Sequence, residues 1–236
     1  MKRREFCLAT ATLLALPLAG CASDPAPADI AEAIRDGDFE DALTAAHALQ
    51  AQGRDTPELR LVIGAMKFGL NRFDEARRWF ASAEGAGTYL ISDPTMDGDD
   101  ALIRTEIAQG DWLRLTALRS GESIANLQAV DPVERVLSNA WDPARYIREK
   151  AAWSRRMFDA SILSVTTSAG RDRTLDDLAS GEAPIFRCTG YFLAGEMALA
   201  RNERNLARKH LTTATGQELP LLEFYLAQAE LARLSA

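Results

Sequence analysis

The chain has 236 residues, a formal net charge of −7, two histidines and three cysteines. Residues 1–20 carry three basic side chains and one acidic side chain, so the rest of the chain has a net charge of −9. This acidic balance argues against nucleic acid or anionic lipid headgroups as the main partner. Cys188 is the only cysteine after residue 21, so residues 22–236 cannot form an internal disulfide among themselves. We therefore expect packing alone to stabilise the folded part.

The first 21 residues have the layout of an export signal. Basic residues at positions 2–4 precede an apolar run over residues 8–18, which is shorter than the ~20 residues that a membrane-spanning helix needs. The run ends in Leu18-Ala19-Gly20-Cys21, which resembles the lipobox of bacterial lipoproteins. That resemblance implies removal of residues 1–20, acylation of Cys21 and membrane attachment without a spanning helix. The alternatives are an ordinary cleaved signal and a short membrane helix with an incidental cysteine.

Two details of this segment concern the protein's destination. Arg3-Arg4-Glu5-Phe6 resembles the twin-arginine export motif, but Cys7 stands where that motif has leucine, so the export route stays open. Ala22 follows the lipobox cysteine, whereas aspartate at that position would resemble the inner-membrane retention signal. We therefore expect attachment to the bacterial outer membrane, with the protein facing the periplasm.

The remainder of the chain is predicted to be all-α. Residues 21–28 are small, polar and proline-rich, which predicts an extended tether. Residues 29–236 show helical spacing of apolar side chains and no strand-type alternation. They also contain an internal repeat with a period of 34 residues. The matched positions are Gly37, Phe39, Ala42, Ala46 and Leu49, which recur as Asn71, Phe73, Ala76, Phe80 and Ala83.

Each matched position has a role in a helical hairpin. Gly37 or Asn71 tolerates a left-handed backbone at the turn, and the aromatic residue two places later packs back on the first helix. The small Ala42 or Ala76 lets the two helices approach closely. This spacing resembles the tetratricopeptide repeat, with copies over about 29–56 and 57–90. The resemblance implies an α-solenoid, an array of stacked helical hairpins.

A third copy is predicted over about 188–219. Its residues match the second copy at a constant offset of 131, and they are Gly195, Asn202, Ala207, Leu211 and Ala214. A final helix from Leu221 to Leu234 has apolar residues suited to a capping face, namely Leu222, Tyr225, Leu226, Ala229 and Ala232. Gly110-Asp111-Trp112 indicates a degenerate hairpin within an irregular helical middle over 97–182. The order of features in the C-terminal half is similar to that of NlpI-type periplasmic repeat lipoproteins, which scaffold envelope enzymes.

The sequence offers little catalytic chemistry. His47 and His210 have no metal-ligating neighbour at a suitable spacing, and we expect Cys188 to be buried and inert. The acidic loop from Asp93 to Asp100 lacks the ligand spacing of a calcium site, and we expect it to cap a helix beginning at Ala101. No catalytic residue, metal or cofactor is therefore predicted. A basic stretch at Arg145, Arg148, Lys150, Arg155 and Arg156 is either a solvated helix face or a docking site for an acidic partner.

The repeat resemblance places a partner-binding groove on the first helix of each hairpin. The predicted groove residues are Glu58, Leu61, Ala65, Phe68, Phe192, Glu196 and Leu199. They are mostly apolar and suit an apolar or helical segment of another protein, although the same side chains could instead pack on further helices of the chain. The resulting hypothesis is a non-enzymatic, lipid-anchored scaffold that binds envelope proteins and no nucleic acid. The alternatives are a protein that binds or processes cell-wall fragments and an assembly factor for the outer membrane.

Overall fold

The described part of the chain consists mostly of helices that pack against their neighbours in sequence. The computed structural model describes residues 26–87, 89–92, 102–122, 154–161, 184–216 and 218–236. The predicted signal, the lipobox with Cys21, the acidic loop over Asp93–Asp100 and most of the region 97–182 lie outside these residues. So do Arg145, Arg148 and Lys150 of the predicted basic stretch.

Short strands interrupt the helical order once. The helices are α1 (Pro27–Asp36), α2 (Phe39–Ala51), α3 (Pro57–Gly69), α4 (Phe73–Ser82), α5 (Gln109–Arg119), a helical segment α6 (154–161), α7 (Pro184–Ala200), α8 (Arg204–Ala214) and α9 (Leu222–Ser235). Strands β1 (Tyr89–Ser92) and β2 (Leu102–Arg104) lie between α4 and α5 and pair antiparallel, with Tyr89 opposite Arg104.

Three pairs of helices form hairpins at the positions where the sequence repeats. The connecting turns of α1–α2, α3–α4 and α7–α8 contain Gly37, Asn71 and Asn202, with φ angles of 77°, 58° and 63°. A left-handed backbone favours glycine, and asparagine tolerates it better than most residues. The predicted turn conformation is thus confirmed at Gly37 and Asn71, and Asn202 adopts it at the equivalent position of the third hairpin.

Close approach of the paired helices depends on matched glycines. A Cβ atom at Gly64 of α3 would lie 2.7 Å from Cδ1 of Phe80 in α4. A Cβ atom at Gly195 of α7 would lie 2.6 Å from Cγ of Leu211 in α8. Gly195 and Leu211 each lie 131 residues after Gly64 and Phe80. The two hairpins therefore make the same close helix contact at equivalent positions.

Two sequence predictions about chain segments are wrong. The helix expected from Ala101 is replaced by β2, because Leu102–Arg104 pairs with β1 and Arg104 N–H donates to the Pro220 carbonyl at 3.2 Å. Gly110 and Asp111 lie in the first turn of α5 and make no connection between helices. Helix α1 begins at Pro27, where proline suits the first helical turn, and residues 21–25 of the predicted tether lie outside the described residues.

An aromatic cluster joins the hairpins to α5. The Trp112 ring stacks on Phe80 with ring centroids 5.2 Å apart and contacts Phe68 edge-on at 5.6 Å. The ring of Phe192 in α7 lies 6.0 Å from the same tryptophan. Trp112 therefore connects α3, α4 and α7 in a single core.

The last helix does more than cap the C-terminal hairpin. Helix α9 packs on α7 and α8 and also contacts α3 and α1. Leu222, Tyr225 and Leu226 are buried as predicted, but Phe224 and Ala227 are buried too, while the predicted cap residue Ala232 is exposed. The capping prediction is therefore incomplete, because α9 returns to the first two hairpins and is covered on several sides. None of the described helices combines the length and apolar composition needed to cross a membrane.

Candidate binding cleft and the ion cluster beside it

The predicted groove residues mostly lie inside the fold. Leu61, Ala65, Phe68, Phe192 and Glu196 are each no more than 1% exposed, whereas Glu58 and Leu199 are half-buried. The prediction that these side chains line an open groove is thus wrong for the five buried ones. The interpretation that they pack on other helices describes them correctly, because α5 covers Phe68 and Phe192 through Trp112.

Four charged side chains meet in this interior. Arg119 of α5 donates a hydrogen bond from Nη1 to Oε2 of Glu196 in α7, and the same nitrogen lies 3.6 Å from Oε1 of Glu230 in α9. Arg233 Nη2 lies 3.3 Å from the same Glu230 oxygen. We call Arg119, Glu196, Glu230 and Arg233 the ion cluster. Its members come from three helices, so it links parts of the chain that no local pattern connects.

Arg119 also connects the ion cluster to the second hairpin. Its guanidinium carbon lies 4.8 Å from the ring centroid of Phe73 and 5.9 Å from that of Phe68, which places the cation over aromatic faces. Its Nη2 donates to Asn71 Oδ1 at 3.2 Å. The turn residue Asn71 is therefore held both by its own backbone conformation and by α5.

Burial controls the charge of the cluster. Removal from water raises the pKa of Glu196 to about 8, and Glu230 raises it further, while Arg119 and Arg233 oppose the shift. Burial therefore favours the neutral form of Glu196, whereas its hydrogen bond with Arg119 favours the charged form.

A cleft of about 520 Å³ opens beside the ion cluster. It lies between the turn of the first hairpin, the turn of the second hairpin and one side of α9. Residues that define it include Gly37, Leu70, Asn71, Gln228, Ala232 and Arg233. We call it the inter-turn cleft. Its volume is in the range of pockets that hold small ligands or short segments of other proteins.

Arg233 belongs to both the cleft and the ion cluster. Its Nη2 donates to the carbonyl of Gly69, the last residue of α3, at 2.6 Å. Its Nη1 is buried and has no hydrogen-bond acceptor among the described residues. An unpaired buried donor costs about 1–3 kcal/mol.

A second buried carboxylate holds the loop before α5. Oε1 of Glu223, in the first turn of α9, accepts hydrogen bonds from the Thr105 hydroxyl at 2.8 Å and from the backbone N–H groups of Glu106 and Ile107 at 2.8 and 3.1 Å. Burial raises the pKa of Glu223, and these hydrogen bonds oppose the shift. This contact spans more than a hundred residues and fixes α9 to the loop between β2 and α5.

The remaining candidates offer no reactive centre. Cys188 is 2% exposed, and burial raises the pKa of its thiol, with Glu223 adding to the effect, so the nucleophilic thiolate is scarce. His210 is buried with its ring centroid 5.7 Å from that of Tyr191, and His47 is exposed beside Trp79. No group of three or more metal-ligating side chains comes together among the described residues.

The sequence predicted Glu196 as a groove residue and gave no prediction for Arg119, Glu230 or Arg233. A signal for Glu230 was present, because it lies four residues from both Leu226 and Leu234 on one buried stripe of α9. A charged residue at an apolar stripe position indicates a buried ion pair or a site. The partner across the interface, Arg119, could not be identified from spacing.

Comparison with other proteins gives no further assignment. The chain matches no protein-family model, no curated protein and no solved structure. The functional argument therefore rests on the residues of this chain.

Proposed function

We propose that the protein is a lipid-anchored adaptor of the bacterial cell envelope that holds a segment of a partner protein in the inter-turn cleft. The lipobox resemblance at Leu18-Ala19-Gly20-Cys21 supports the anchor, and attachment at the outer membrane follows from Ala22. Anchoring raises the local concentration of any bound partner at the membrane, which is the mechanism of an adaptor. The proposed role is non-enzymatic and involves no cofactor.

Assignment of the hairpins to the tetratricopeptide type is part of this proposal. It is supported by the residue pattern, by the left-handed turns at Asn71 and Asn202, and by the matched contacts of Gly64 and Gly195. The array differs from an open solenoid because α9 returns to α1 and α3. In this proposal α5 and α9 fill the groove that such arrays offer to partners, and binding takes place at the hairpin turns.

The observation that carries the proposal is the inter-turn cleft. Its walls combine apolar side chains, such as half-buried Leu70 and exposed Ala232, with the exposed amides of Asn71 and Gln228. Loop and turn residues presented by a rigid scaffold are common binding sites, because their variation does not disturb the core. The ion cluster beside the cleft provides that rigidity.

A photocrosslinking experiment tests the cleft in the full-length, membrane-attached protein. A photoreactive amino acid replaces Ala232, which is exposed in the cleft, and in a matched control it replaces Ala81, an exposed alanine of α4 outside it. Adducts specific to position 232, lost when the cleft is blocked by Leu70→Arg, support the proposal. Identical adducts at both positions, or none at 232, refute binding in the cleft.

The anchor is tested separately. Cys21→Ser removes the acylation site, so the variant should leave the membrane fraction after a salt wash. Retention of the variant in the membranes would show that Cys21 is not the anchor.

One observation favours a second candidate, a protein that binds or processes cell-wall fragments. Glu196 and Glu230 converge on Arg119, and paired carboxylates with one raised pKa are typical of acid–base sites. Both side chains are buried, however, and neither lines the cleft. Turnover of purified cell-wall fragments that Glu196→Gln abolishes would support this candidate over the adaptor. An outer-membrane assembly factor would differ from the adaptor only in the identity of its partner.

A further inference from the structure

We infer that a second copy of this chain docks on the first hairpin, with a basic stripe of α8 in one copy against an acidic stripe of α1 in the other. The acidic stripe consists of Asp29, Glu32 and Asp36, and the basic stripe consists of Arg204 and Arg208. This inference goes beyond the adaptor function, because it concerns contact between copies and not the partner segment held in the inter-turn cleft.

The acidic stripe follows one side of α1. Its carboxylates are three and four residues apart, a spacing that places them on the same helix face over ~10 Å, and all three residues are exposed. Asp29 accepts a hydrogen bond from the backbone N–H of Ala26, whereas Glu32 and Asp36 form no ion pair within the described part of the chain. Like charges at these spacings repel each other, so the fold of a single copy gains nothing from them.

The basic stripe follows the outer side of α8. Arg204 and Arg208 are four residues apart and exposed, and exposed Lys209 lies next to them in the chain. Arg208 Nη2 donates to the Leu234 carbonyl at 2.6 Å, which holds the side chain in place and leaves its charge uncompensated by an anion. Arg204 forms no ion pair among the described residues. Two neighbouring cations are therefore presented to an anionic surface.

Each stripe contains a charge at the unfavourable end of its helix. Arg204 is the first residue of α8, where the partial positive charge of the helix dipole repels a cation. Asp36 is the last residue of α1, where the partial negative charge repels an anion. Helices α1 to α5 and α9 instead carry an acidic side chain in the first turn, as the dipole favours. Helix stability therefore explains neither charge, whereas contact with the opposite charge on another molecule explains both.

The hairpins that carry the stripes have opposite net charge. Residues 27–51 contain six acidic side chains and one basic side chain, a net charge of −5, whereas residues 184–214 contain five basic and two acidic side chains, a net charge of +3. The overall negative charge of the chain opposes self-association, but at about 0.1 M salt charges more than ~10 Å apart are largely screened. A second copy is thus a partner that offers the complement of both stripes, and the proposed anchor would concentrate copies in one membrane plane.

A charge-swap experiment tests the inference with the purified, full-length, lipidated protein in detergent. Sedimentation velocity over a range of protein concentrations measures self-association of the wild type, of Asp36→Arg, of Arg204→Glu and of an equimolar mixture of the two variants. Each variant alone should associate about 10-fold more weakly than the wild type, since an attraction is replaced by a repulsion of similar size. The mixture should restore association, because each altered stripe then meets an oppositely altered one and each intact stripe meets an intact one.

The same variants separate association from folding. Asp36→Arg and Arg204→Glu both place at a helix end the charge that the dipole favours there, so neither should lower the melting temperature. Glu84→Arg and Arg78→Glu are matched controls, because they change the net charge by the same amounts at exposed positions outside both stripes. The controls should associate like the wild type.

Each outcome decides the inference. A wild type that stays monomeric at every concentration, a mixture that does not regain association, or equal weakening by the control variants refutes docking through these stripes. Binding of the Cys21→Ser protein to phosphatidylglycerol vesicles that Arg204→Glu abolishes, with sedimentation unchanged, would identify a membrane surface as the occupant of the basic stripe and also refute self-association. Crosslinking at position 232 tests the adaptor function separately, so failure of one proposal is distinguishable from failure of the other.

Discussion

Gly64→Ala should destabilise the protein even though alanine favours helices more than glycine does. The new Cβ atom would lie 2.7 and 2.8 Å from Cδ1 and Cε1 of Phe80. The Phe80 ring has no exposed surface and stacks on Trp112, so it has little room to move away. Overpacking costs about 1–3 kcal/mol, and two such short contacts to a rigid ring indicate the upper end of that range.

The net effect follows from two opposing contributions. Replacing a helical glycine by alanine gains about 1 kcal/mol from backbone entropy, so Gly64→Ala should lower the free energy of unfolding by roughly 2 kcal/mol. Gly195→Ala should act in the same direction, because its Cβ atom would lie 2.6 Å from Cγ of Leu211. These two substitutions probe the same position in two different hairpins.

Gly110→Ala provides the matched control. Gly110 lies in the first turn of α5, and a Cβ atom there would meet no atom within 4 Å. Its substitution should be neutral or stabilise by up to about 1 kcal/mol. Urea unfolding followed by circular dichroism measures all three variants. If Gly64→Ala raises the urea midpoint as Gly110→Ala does, the close helix contact is not as described.

Three further predictions concern the pH response, a turn and a thiol. Glu196 has a pKa of about 8 in the folded protein and near 4.5 in the unfolded chain. The stability that this difference in pKa contributes is fully present below the unfolded pKa and is lost as the pH rises through the folded pKa. As the pH rises from about 5 to about 9, the melting temperature of the wild type should therefore decrease relative to that of Glu196→Gln. A difference in melting temperature that stays constant over this range would contradict the buried position of this carboxyl group. Asn202→Ala should cost about 1 kcal/mol because φ is 63°, whereas Asn202→Gly should be nearly neutral; equal thermal shifts for both variants would argue against a left-handed turn. Cys188 should react with thiol reagents only as fast as the protein opens, since burial raises its pKa, and rapid labelling of the native protein lacking the other cysteines would contradict this.

Local patterns identified the hairpins well. The left-handed turns at Gly37 and Asn71 could be predicted because few residue types tolerate that backbone. The buried positions of Ala76 and Phe80 followed from helical spacing within one repeat. These features depend on neighbours within a few residues, which is the range over which sequence patterns are informative.

The candidate site could not be predicted in this way. Leu61 and Phe68 have the apolar character of groove residues, yet they are buried. Sequence spacing does not distinguish an apolar side chain on an open binding surface from one that another part of the same chain covers. The strand Leu102–Arg104 was missed for a related reason, since three residues are too few to show alternation.

The helical class, the repeated hairpins and their turn residues follow from local sequence patterns, which also predict the lipid anchor at Cys21. Which of these surfaces remain accessible depends on how the helices pack together. The return of α9 joins Arg233 to Gly69 and Glu223 to Thr105, contacts that are 164 and 118 residues apart in the chain. Such pairings depend on the packing of whole helices and leave no local trace, so the inter-turn cleft and the ion cluster became visible only in the folded protein.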